Sequence, residues 1–515
     1  MAVRAPVLFV SRRLMSDQLT PVLAYRRLVA PDDRTAPSFL FESVENGTAV
    51  GRWSMLGAQP SLEVVARAHS VEVRDRVRGT IDRLERDDPL ALLKELGAGR
   101  VPTAVDPMPA AFHGGWVGFA AFDAVRWLEP GKLPFSSAPR DDRGLPDLHF
   151  GLYGEVAVFD HVSKVVHAVV SEPADLHASE AAALSAARTR LDAFCARLVT
   201  PGPALAPGAV DLDVAARPVP LADGPMPRAA FERAVGRAQE YIRAGDAFQV
   251  VLSRRAERAT HADPFDVYRA LRVVNPSPYQ IYLQAEGCIL VASSPEILCR
   301  VRGRTVTNRP LAGTRRRGRD AAEDHALERE LLDDAKERAE HVMLVDLGRN
   351  DLGRVCDPGS VRIERAMEVE RYSHVMHISS TVTGELRPGL DAWDALRATL
   401  PVGTVSGAPK VRAIQVIDEL EPVRRGPYSG GIGAVGWDGD MDIALALRTM
   451  VIPTGAWRPG AGWDVHLQAG AGVVLDSVPE AEYEETVAKS AALGRAIDLA
   501  ERAFSTGSAS RPPVS

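Results

Sequence analysis

The feature that most constrains this chain is a break in its pattern at residues 200–227, which read TPGPALAPGAVDLDVAARPVPLADGPMP. Proline, alanine and glycine dominate this stretch without sustained periodicity, which is typical of a linker or a long surface excursion. The chain has 515 residues, more than one simple core usually holds. We therefore predict two lobes or one large composite domain, divided into an N-terminal region, a linker, a C-terminal region and a disordered tail. The predicted boundaries are 1–199, 200–227, 228–504 and 505–515.

The patterns on either side of the break predict a mixture of strands and helices. Apolar segments at 156–159 and 165–170 flank Asp160-His161, which predicts a β-hairpin. Alanine and leucine at helical spacing predict a helix at 179–198. Further helices are predicted at 228–244, 320–344 and 480–504, and further strands at 248–253 and 372–379. This irregular mixture favours an α+β fold with packed sheets and helices outside.

Composition excludes several classes of protein. The chain is 46% hydrophobic and 25% charged, with a net charge of −7, which is typical of a globular protein. The basic clusters at 315–317 and 424–425 are short and flanked by acids, so they do not indicate nucleic-acid binding. The four cysteines are far apart and lack metal-site spacing, which predicts free thiols in a reducing compartment.

No apolar run approaches the roughly 20 residues needed to cross a bilayer. The apolar patch at residues 5–10 is followed directly by Arg12-Arg13, which predicts a first strand rather than a secretory signal. We expect a cytoplasmic protein.

Two acidic pairs lie within predicted helices. Glu337 and Glu340 are three residues apart, and so are Glu482 and Glu485. Residues at this spacing share a helix face, so each pair presents two carboxylates together. Four carboxylates from two helices can hold a hard divalent ion such as Mg²⁺. The alternative is two solvated helix faces, because Lys336, Arg338 and Lys489 supply ordinary basic neighbours.

Glycine-rich segments at 403–410, 426–433 and 468–472 adjoin apolar runs. Such glycines let backbone N–H groups approach an anion closely, although tight turns and bulges explain them equally well. No P-loop or dinucleotide-binding glycine motif is present, which disfavours nucleotide binding. Charged and hydroxyl donors suited to a small dicarboxylate are available nearby. They are Thr404, Tyr428, Arg448 and Lys489.

The segment 372–379 contains His374 and His377, which point to opposite faces if the segment is extended. Two alternatives remain open: one of the histidines faces a functional site, or both have structural roles. No Gly-x-Ser-x-Gly or Gly-x-Cys-x-Gly elbow is present, so a nucleophile-elbow hydrolase is disfavoured.

Many long segments resemble one family, the chorismate-utilising enzymes, and specifically the large subunits of anthranilate synthases, including the plant type. In the second half of the chain they are AGDAFQVVLS at 244–253, NPSPY at 275–279, SSPE at 293–296, RPLAGTR at 309–315, EHVMLVDLGRND at 340–351, YSHVMHISS at 372–380, PVGTVSGAPK at 401–410 and QAGAGVVLDS at 468–477. In the first half they are LTPVLAY at 19–25, SFLFESV at 38–44, GRWS at 51–54 and FHGGWVG at 112–118. The resemblance covers nearly the whole chain except the linker and tail.

The resemblance implies a large two-lobed β-sandwich with helices outside, in which the C-terminal region binds chorismate and the N-terminal region carries a tryptophan site. It implies that Mg²⁺ bridges chorismate to the acidic pairs, with Glu340 and Glu485 as direct ligands and Glu337 and Glu482 acting through waters. The groups implied to hold the substrate are Gly313, Thr314, Thr404, Tyr428, Arg448, Gly470, Ala471, Gly472 and Lys489.

The resemblance also implies the catalytic roles. Glu296 is the general acid that protonates the departing ring hydroxyl while ammonia adds, and His377 assists the later elimination of pyruvate. Ala312 stands where the similar aminodeoxychorismate synthases have a nucleophilic lysine. Gln249 stands where isochorismate and salicylate synthases have a lysine base that activates water. Both substitutions favour anthranilate formation.

The cysteine contexts show no glutaminase, and the family pairs with a separate glutamine amidotransferase subunit that supplies ammonia. The implied tryptophan site, for feedback inhibition, consists of Glu42, Ser43, Pro278 and Tyr279. Gln280 departs from the family pattern, since many bacterial relatives carry methionine there.

Two readings of another class compete with an enzyme. A binding-only relative that senses tryptophan or chorismate would be expected to lose Glu296, His377 or an acidic pair, and all are present. A structural scaffold explains none of the polar residues placed inside apolar runs.

Overall fold

The computed structural model describes residues 5–30, 36–45, 49–202, 204–210, 217–372, 375–455, 457 and 462–504. The helices are α1 (Pro21–Leu28), α2 (Pro89–Gly97), α3 (Val125–Leu128), α4 (Glu180–Val199), α5 (Arg228–Arg243), α6 (Pro264–Val274), α7 (Ala321–Asp333), α8 (Ala335–Gly353), α9 (Ala392–Thr399), α10 (Gly403–Ser406), α11 (Lys410–Leu420) and α12 (Pro479–Ala503). Short 3-10 helices lie at Phe122–Ala124, Phe135–Ser137 and Ala174–Leu176.

The strands of the first half are β1 (Ala5–Met15), β2 (Ser38–Glu45), β3 (Ala49–Ala58), β4 (Leu62–Arg67), β5 (Ser70–Asp75), β6 (Thr80–Glu85), β7 (Arg100–Ala104), β8 (Gly115–Ala120), β9 (Leu148–Tyr153), β10 (Glu155–Asp160), β11 (Val165–Pro173) and β12 (Ala222–Asp223). Those of the second half are β13 (Gln249–Thr260), β14 (Tyr279–Ala285), β15 (Cys288–Ser294), β16 (Ile297–Arg302), β17 (Thr305–Asn308), β18 (Leu311–Arg316), β19 (Arg362–Arg371), β20 (Val375–Glu385), β21 (Gly407–Ala408), β22 (Gly431–Gly436), β23 (Met441–Leu445), β24 (Thr449–Pro453) and β25 (Trp463–Val473).

Within the described residues these strands form two large sheets. The first has the order β12-β13-β25-β24-β15-β14-β2-β3-β10-β11-β1-β7, with β21 beside β13. The second has the order β18-β20-β17-β16-β23-β22-β8-β9-β4-β5-β6, with β19 beside β20. Neighbouring strands are antiparallel except for β1 and β7. The regions before and after residues 200–227 share both sheets, since β2 pairs with β14 and β8 pairs with β22.

The sheets pack face to face because their strands are apolar on both sides. In β2, Phe39 and Phe41 enter the core between the sheets, where Phe119 and Ile432 of the second sheet meet them. Leu40, between the two phenylalanines, points the opposite way into a core beneath α1, α4, α6 and α12. This alternation follows from the two-residue period of a strand. It confirms the predicted α+β sandwich with helices outside.

Most predicted elements are confirmed, including the first strand, the 156–170 hairpin and the helices beginning near 180, 228 and 480. The single helix predicted at 320–344 is wrong, because the chain breaks at Asp334 into α7 and α8. Asp334 leaves the helical conformation, with φ −70° and ψ 108°. Its carboxylate accepts hydrogen bonds from the backbone N–H groups of Lys336 and Glu337, which begins α8 anew.

The predicted tail at 505–515 and part of the predicted linker, residues 203 and 211–216, lie outside the described residues. No helix in the described part of the chain is long and apolar enough to span a membrane.

Candidate active site

The residues predicted to bind substrate, metal and protons lie in one region, although they are far apart in the sequence. Strands β13, β18, β20 and β25 line it, and helices α8, α10 and α12 close it with the loops that carry Glu296, Tyr428 and Arg448. Hydrogen bonds and electrostatic interactions link most of these residues to one another.

Glu296 follows β15 and is 4% exposed. Thr404 of α10 donates a hydrogen bond from its hydroxyl to Glu296 Oε1 at 2.9 Å. Burial disfavours the charged carboxylate and raises the pKa of Glu296 to about 8, although Thr404 and Lys489 favour the charge. Glu296 is therefore a carboxylic acid that holds its proton at neutral pH, as a general acid must.

Cationic groups converge from α12 and from the turn after β23. Lys489 Nζ donates to the Gly470 carbonyl at 3.0 Å and contacts Glu485 Oε1 at 2.6 Å. Arg448, with φ +48°, donates to the Lys489 carbonyl at 3.0 Å. Burial lowers the pKa of Arg448, but a guanidinium keeps its charge well above neutral pH. These two cations suit the carboxylates of a small dicarboxylate.

The glycines of β25 allow two polar side chains of the site to approach the strand closely. A Cβ on Gly470 would lie 3.2 Å from the Tyr428 hydroxyl, and one on Gly472 would lie 2.7 Å from Gln249 Nε2. Ala471 between them is fully buried and packs away from this face. A side chain at Gly472 would collide with Gln249 and one at Gly470 would crowd Tyr428, so glycine at these positions lets both groups lie against the strand.

His377 lies on β20 opposite Thr314 of β18. Its Nδ1 lies 2.9 Å from the Gly313 carbonyl and 3.0 Å from the Thr314 hydroxyl. Because a carbonyl only accepts, Nδ1 carries the proton and Nε2 has a free lone pair. Burial lowers the pKa of His377 to about 4, so the ring is neutral at pH 7. The structure thus provides a base here, and the other histidine of the motif, His374, lies outside the described residues.

The acidic pairs are on α8 and α12, as predicted. Burial, followed by repulsion from Glu340, raises the pKa of Glu337, and burial with repulsion from Glu485 raises that of Glu482. The positive charge of Lys336 acts on Glu482, so the starts of the two helices are near each other.

A cation would relieve this repulsion, and carboxylate oxygens are the ligands that Mg²⁺ prefers. The donor chemistry therefore fits the predicted ion. Among the described residues, no three His, Cys, Asp or Glu side chains stand close enough together to hold a metal as they are arranged. Lys489 instead neutralises Glu485, at 2.6 Å.

Gln249 lies between the acidic pair of α8 and the glycines of β25. It is 2% exposed, and its Nε2 donates to Glu340 Oε1 at 2.8 Å. Its Oε1 is buried without a hydrogen-bond partner in the structure. An amide in this position can accept a hydrogen bond from a small donor but cannot remove a proton.

The structure divides the predicted tryptophan residues between two faces of one sheet. Glu42 pairs with Gln280 across β2 and β14, so Ser43 and Tyr279 lie one residue beyond that pair. Glu42 points outward, where its carboxylate accepts a hydrogen bond from the Tyr268 hydroxyl of α6 at 2.6 Å. Tyr279, which follows Pro278, points between the sheets and donates its hydroxyl to Asp442 at 2.7 Å.

Several residues of the site were not predicted from the sequence. Arg315 contacts Glu337 at 3.4 Å and Asp334 at 2.9 Å. The Tyr372 ring packs edge-on against His377, with centroids 5.7 Å apart. Arg425 belongs to a short basic cluster in the sequence, yet it is 2% exposed. An arginine beside glycine-rich segments is the only local signal that could have indicated it.

Comparisons with known proteins show the family. A family model described as chorismate binding enzyme matches residues 37–495. Anthranilate synthase alpha subunit 1, chloroplastic, of Oryza sativa subsp. japonica is 56% identical over 512 residues, covering 97% of this chain and 89% of that protein. Anthranilate synthase component 1 of Pseudomonas aeruginosa is 44% identical over 495 residues, covering 95% of each chain.

The fold has also been seen in a crystal structure of anthranilate synthase component I from Streptococcus pneumoniae TIGR4. It is 35% identical, with a TM-score of 0.73, over 94% of this chain and 99% of that one. Fold, site and family match together define a chorismate-binding enzyme. Within that class, the chain belongs to the anthranilate synthase component I family.

Proposed function

We propose that this chain converts chorismate and ammonia to anthranilate and pyruvate, as the large subunit of an anthranilate synthase in tryptophan biosynthesis. The observation that carries the proposal is the buried acid Glu296, with a pKa of about 8, which is hydrogen-bonded by Thr404 and lies within range of the charge of Lys489.

In the first half-reaction ammonia forms a C–N bond to the ring and the bond to the ring hydroxyl breaks. Glu296 gives its proton to that oxygen, which leaves as water, because hydroxide is a poor leaving group near neutral pH. The unpartnered Oε1 of Gln249 can accept a hydrogen bond from ammonia, and Ala312 offers no competing nucleophile. Arg448, Lys489, Tyr428 and Thr404 orient the substrate, with the backbone of Gly313, Thr314 and residues 470–472.

In the second half-reaction the ring becomes aromatic. The ring proton goes to a base, the C–O bond to the enolpyruvyl group breaks, and that group gains a proton to become pyruvate. His377 is the proposed base, since its Nδ1–H faces the Gly313 carbonyl and its Nε2 is free.

A magnesium ion is part of the proposal. Glu340 and Glu485 would bind it directly, and Glu337 and Glu482 through waters. When bound, such an ion neutralises carboxylate charge and fixes an anionic substrate. The mutual repulsion within each pair supports this role.

Ammonia is proposed to come from a separate glutamine amidotransferase subunit. A glutaminase in this chain would need an activated thiolate. The four cysteines are all buried instead, and burial raises the pKa of Cys288 and Cys299 to about 12, of Cys356 to about 11, and that of Cys195 as well. Their unpaired state supports a reducing location, and we propose the cytoplasm.

Tryptophan is the proposed feedback inhibitor. Ser43, Pro278 and Tyr279 are the proposed contacts, and Glu42 contributes from the other face of the sheet through α6.

One assay tests the reaction. Purified protein mixed with chorismate, Mg²⁺ and an ammonium salt should develop the fluorescence of anthranilate, and added tryptophan should suppress it. Consumption of chorismate without that fluorescence would contradict the proposed product, and binding without consumption would favour a sensor.

A further inference from the structure

We infer that Arg425 and Glu421 form a positioning pair that holds the general acid Glu296 in its working arrangement through α10 and Thr404. This inference rests on the proposed function, because it concerns the same acid. Neither residue is hydrogen-bonded to a side chain proposed to hold the substrate, although the charges of both act on Tyr428. The pair therefore acts mainly through the elements that it joins.

Arg425 reaches two of those elements at once. Its Nη1 donates to the Val405 carbonyl of α10 and its Nη2 to the Val251 carbonyl of β13, both at 2.7 Å. The same guanidinium contacts Glu421 at 2.6 and 2.9 Å and lies over the Phe122 ring, 4.6 Å from its centroid. Four of the five N–H donors of this planar fork are therefore used, by three different partners.

Glu421 extends the connection to the substrate strands. Its Oε1 accepts hydrogen bonds from the backbone N–H and the hydroxyl of Ser253 on β13, at 2.7 and 3.0 Å. The Ser253 hydroxyl in turn accepts a hydrogen bond from Gln468 Nε2 of β25, at 2.8 Å. Ser253 pairs with Gly470, whose carbonyl accepts the hydrogen bond from Lys489.

Helix α10 needs such support because it spans only four residues and has no side-chain N-cap. A helix this short does not hold itself together, and its last carbonyls lack partners within the helix. Arg425 satisfies the carbonyl of Val405, the residue next to Thr404. The position of Arg425 therefore sets whether Thr404 can reach Glu296, at its observed 2.9 Å.

A second buried arginine provides a matched control. Arg126 is 1% exposed and bonds Asp418 at 2.8 and 2.9 Å and Asp123 at 2.8 Å. Asp418 lies on α11, three residues before Glu421. Arg126 contacts neither α10 nor β13 by any of these bonds, so Arg126→Lys weakens a comparable buried pair without loosening Thr404.

The experiment compares Arg425→Lys, Thr404→Val and Arg126→Lys with the wild type. The ratio of each variant's kcat/KM for chorismate to the wild-type value is measured from pH 7 to pH 10 at constant free ammonia, with Tm as a check on stability. Glu296 works while protonated, and its bond from Thr404 favours the charged form. Losing that bond raises the pKa of Glu296, so the variant keeps its acid at higher pH than the wild type. The other titratable groups facing Glu296 are Lys489 and Tyr372.

We expect the ratio for Thr404→Val to rise with pH by up to about tenfold, which corresponds to one unit of pKa. The ratio for Arg425→Lys should rise by about threefold, and the ratio for Arg126→Lys should stay flat at a similar loss of Tm. A flat Arg425→Lys ratio beside a rising Thr404→Val ratio overturns the positioning role and leaves the proposed function intact. A flat Thr404→Val ratio overturns the assignment of Glu296 on which both rest. If Arg425→Lys does not fold, Glu421→Gln, which retains an oxygen acceptor for Ser253, takes its place with the same expected rise.

Discussion

At the scale of single residues, burial produces the two protonation states that the proposed chemistry needs. Glu296 and His377 are both removed from water, and burial disfavours the charged form of each. The pKa of the acid therefore rises to about 8 and that of the imidazole falls to about 4. At pH 7 the site therefore holds a protonated carboxylic acid and a neutral imidazole together. The order of the two pKa values is reversed, because a free glutamate has a lower pKa than a free histidine.

The two groups should fail differently when removed. We expect Glu296→Gln to leave chorismate unconsumed, with a loss of roughly 10²–10⁴-fold, because the leaving hydroxyl is no longer protonated. His377→Ala should still permit amination, so the aminated, non-aromatic intermediate accumulates while anthranilate lags. Chromatography of the reaction mixture separates the two compounds, which differ by a pyruvate unit. Equal persistence of chorismate in both variants would show that the division of roles is wrong.

Activity should also depend on pH through Glu296. The acid is present below its pKa of about 8 and is lost as the pH rises through that value. At constant free ammonia, wild-type kcat/KM for chorismate should therefore fall between pH 7 and pH 10. The residual activity of Glu296→Gln, which has no proton to lose, should not show this decline over the same range.

The acidic pairs carry a prediction about metal dependence. Replacing Glu340 or Glu485 with glutamine keeps the size of the side chain and removes a charged oxygen. We expect turnover to fall by about a hundredfold at low Mg²⁺, with partial recovery at high Mg²⁺. Asp346→Asn, on the exposed side of α8 where Asp346 pairs with Arg349, is the control and should titrate like the wild type. Near-normal rates of the Glu340 and Glu485 variants at low Mg²⁺ would show that these pairs are solvated helix faces and do not bind the metal.

At the scale of secondary-structure elements, the break at Asp334 determines where the first acidic pair points. A continuous helix would carry the direction of α7 into α8, whereas the break lets α8 start at a new angle with Glu337 in its first turn. Arg315 of β18 also holds Asp334, at 2.9 Å. The capping residue is thus tied both to its helix and to the strand that carries Thr314.

Removing this cap should affect both stability and metal use. Asp334→Ala should lower the free energy of unfolding by about 1 kcal/mol, as expected for a lost N-cap, and raise the Mg²⁺ concentration needed for half-maximal activity. Asp320→Ala removes the N-cap of α7, where Asp320 accepts the Glu323 N–H at 2.9 Å, and should cost similar stability without changing the Mg²⁺ requirement. Denaturant unfolding and Mg²⁺ titration measure the two effects. The same Mg²⁺ shift in both variants would mean that the break does not orient the pair.

At the scale of the whole molecule, the two halves of the chain build one sandwich. The strand that carries Glu42 and the strand that begins at Tyr279 are neighbours in one sheet. Helix α6 accordingly contacts Glu42 on one side and shares a core with α12, which carries Lys489, on the other. The proposed inhibitor residues and the proposed catalytic residues are therefore parts of the same packed body.

The division of labour between subunits is tested on the whole chain. The purified protein should make anthranilate from ammonium ions at raised pH, where more free ammonia is present, and should make none from glutamine. Its buried cysteines, with raised pKa values, do not supply a glutaminase thiolate. Glutamine-driven activity from this chain alone would contradict the two-subunit proposal.

Local patterns in the sequence were enough to predict the structural features that depend on residues close together along the chain. Helical spacing predicted that Glu337 and Glu340 share a face, and apolar runs predicted the hairpin of β10 and β11, since both depend on residues a few positions apart. The cap at Asp334 was readable in principle as an aspartate three residues before a glutamate, but the strong helical pattern around it masked the signal. Family motifs identified Glu296 and His377 without giving their protonation.

Only the tertiary structure decided which groups meet and what charge they carry. The contacts of Arg425 with Val251 and Val405 join segments up to 174 residues apart, and no periodicity in a sequence encodes such a meeting. The pKa values of Glu296 and His377 depend on burial, which the surrounding sheets and helices create together. The amino-acid sequence by itself determined most of the elements, the family and the candidates for the reactive groups. Packing determined their distances, partners and protonation, because desolvation and long-range hydrogen bonds exist only once the chain has folded.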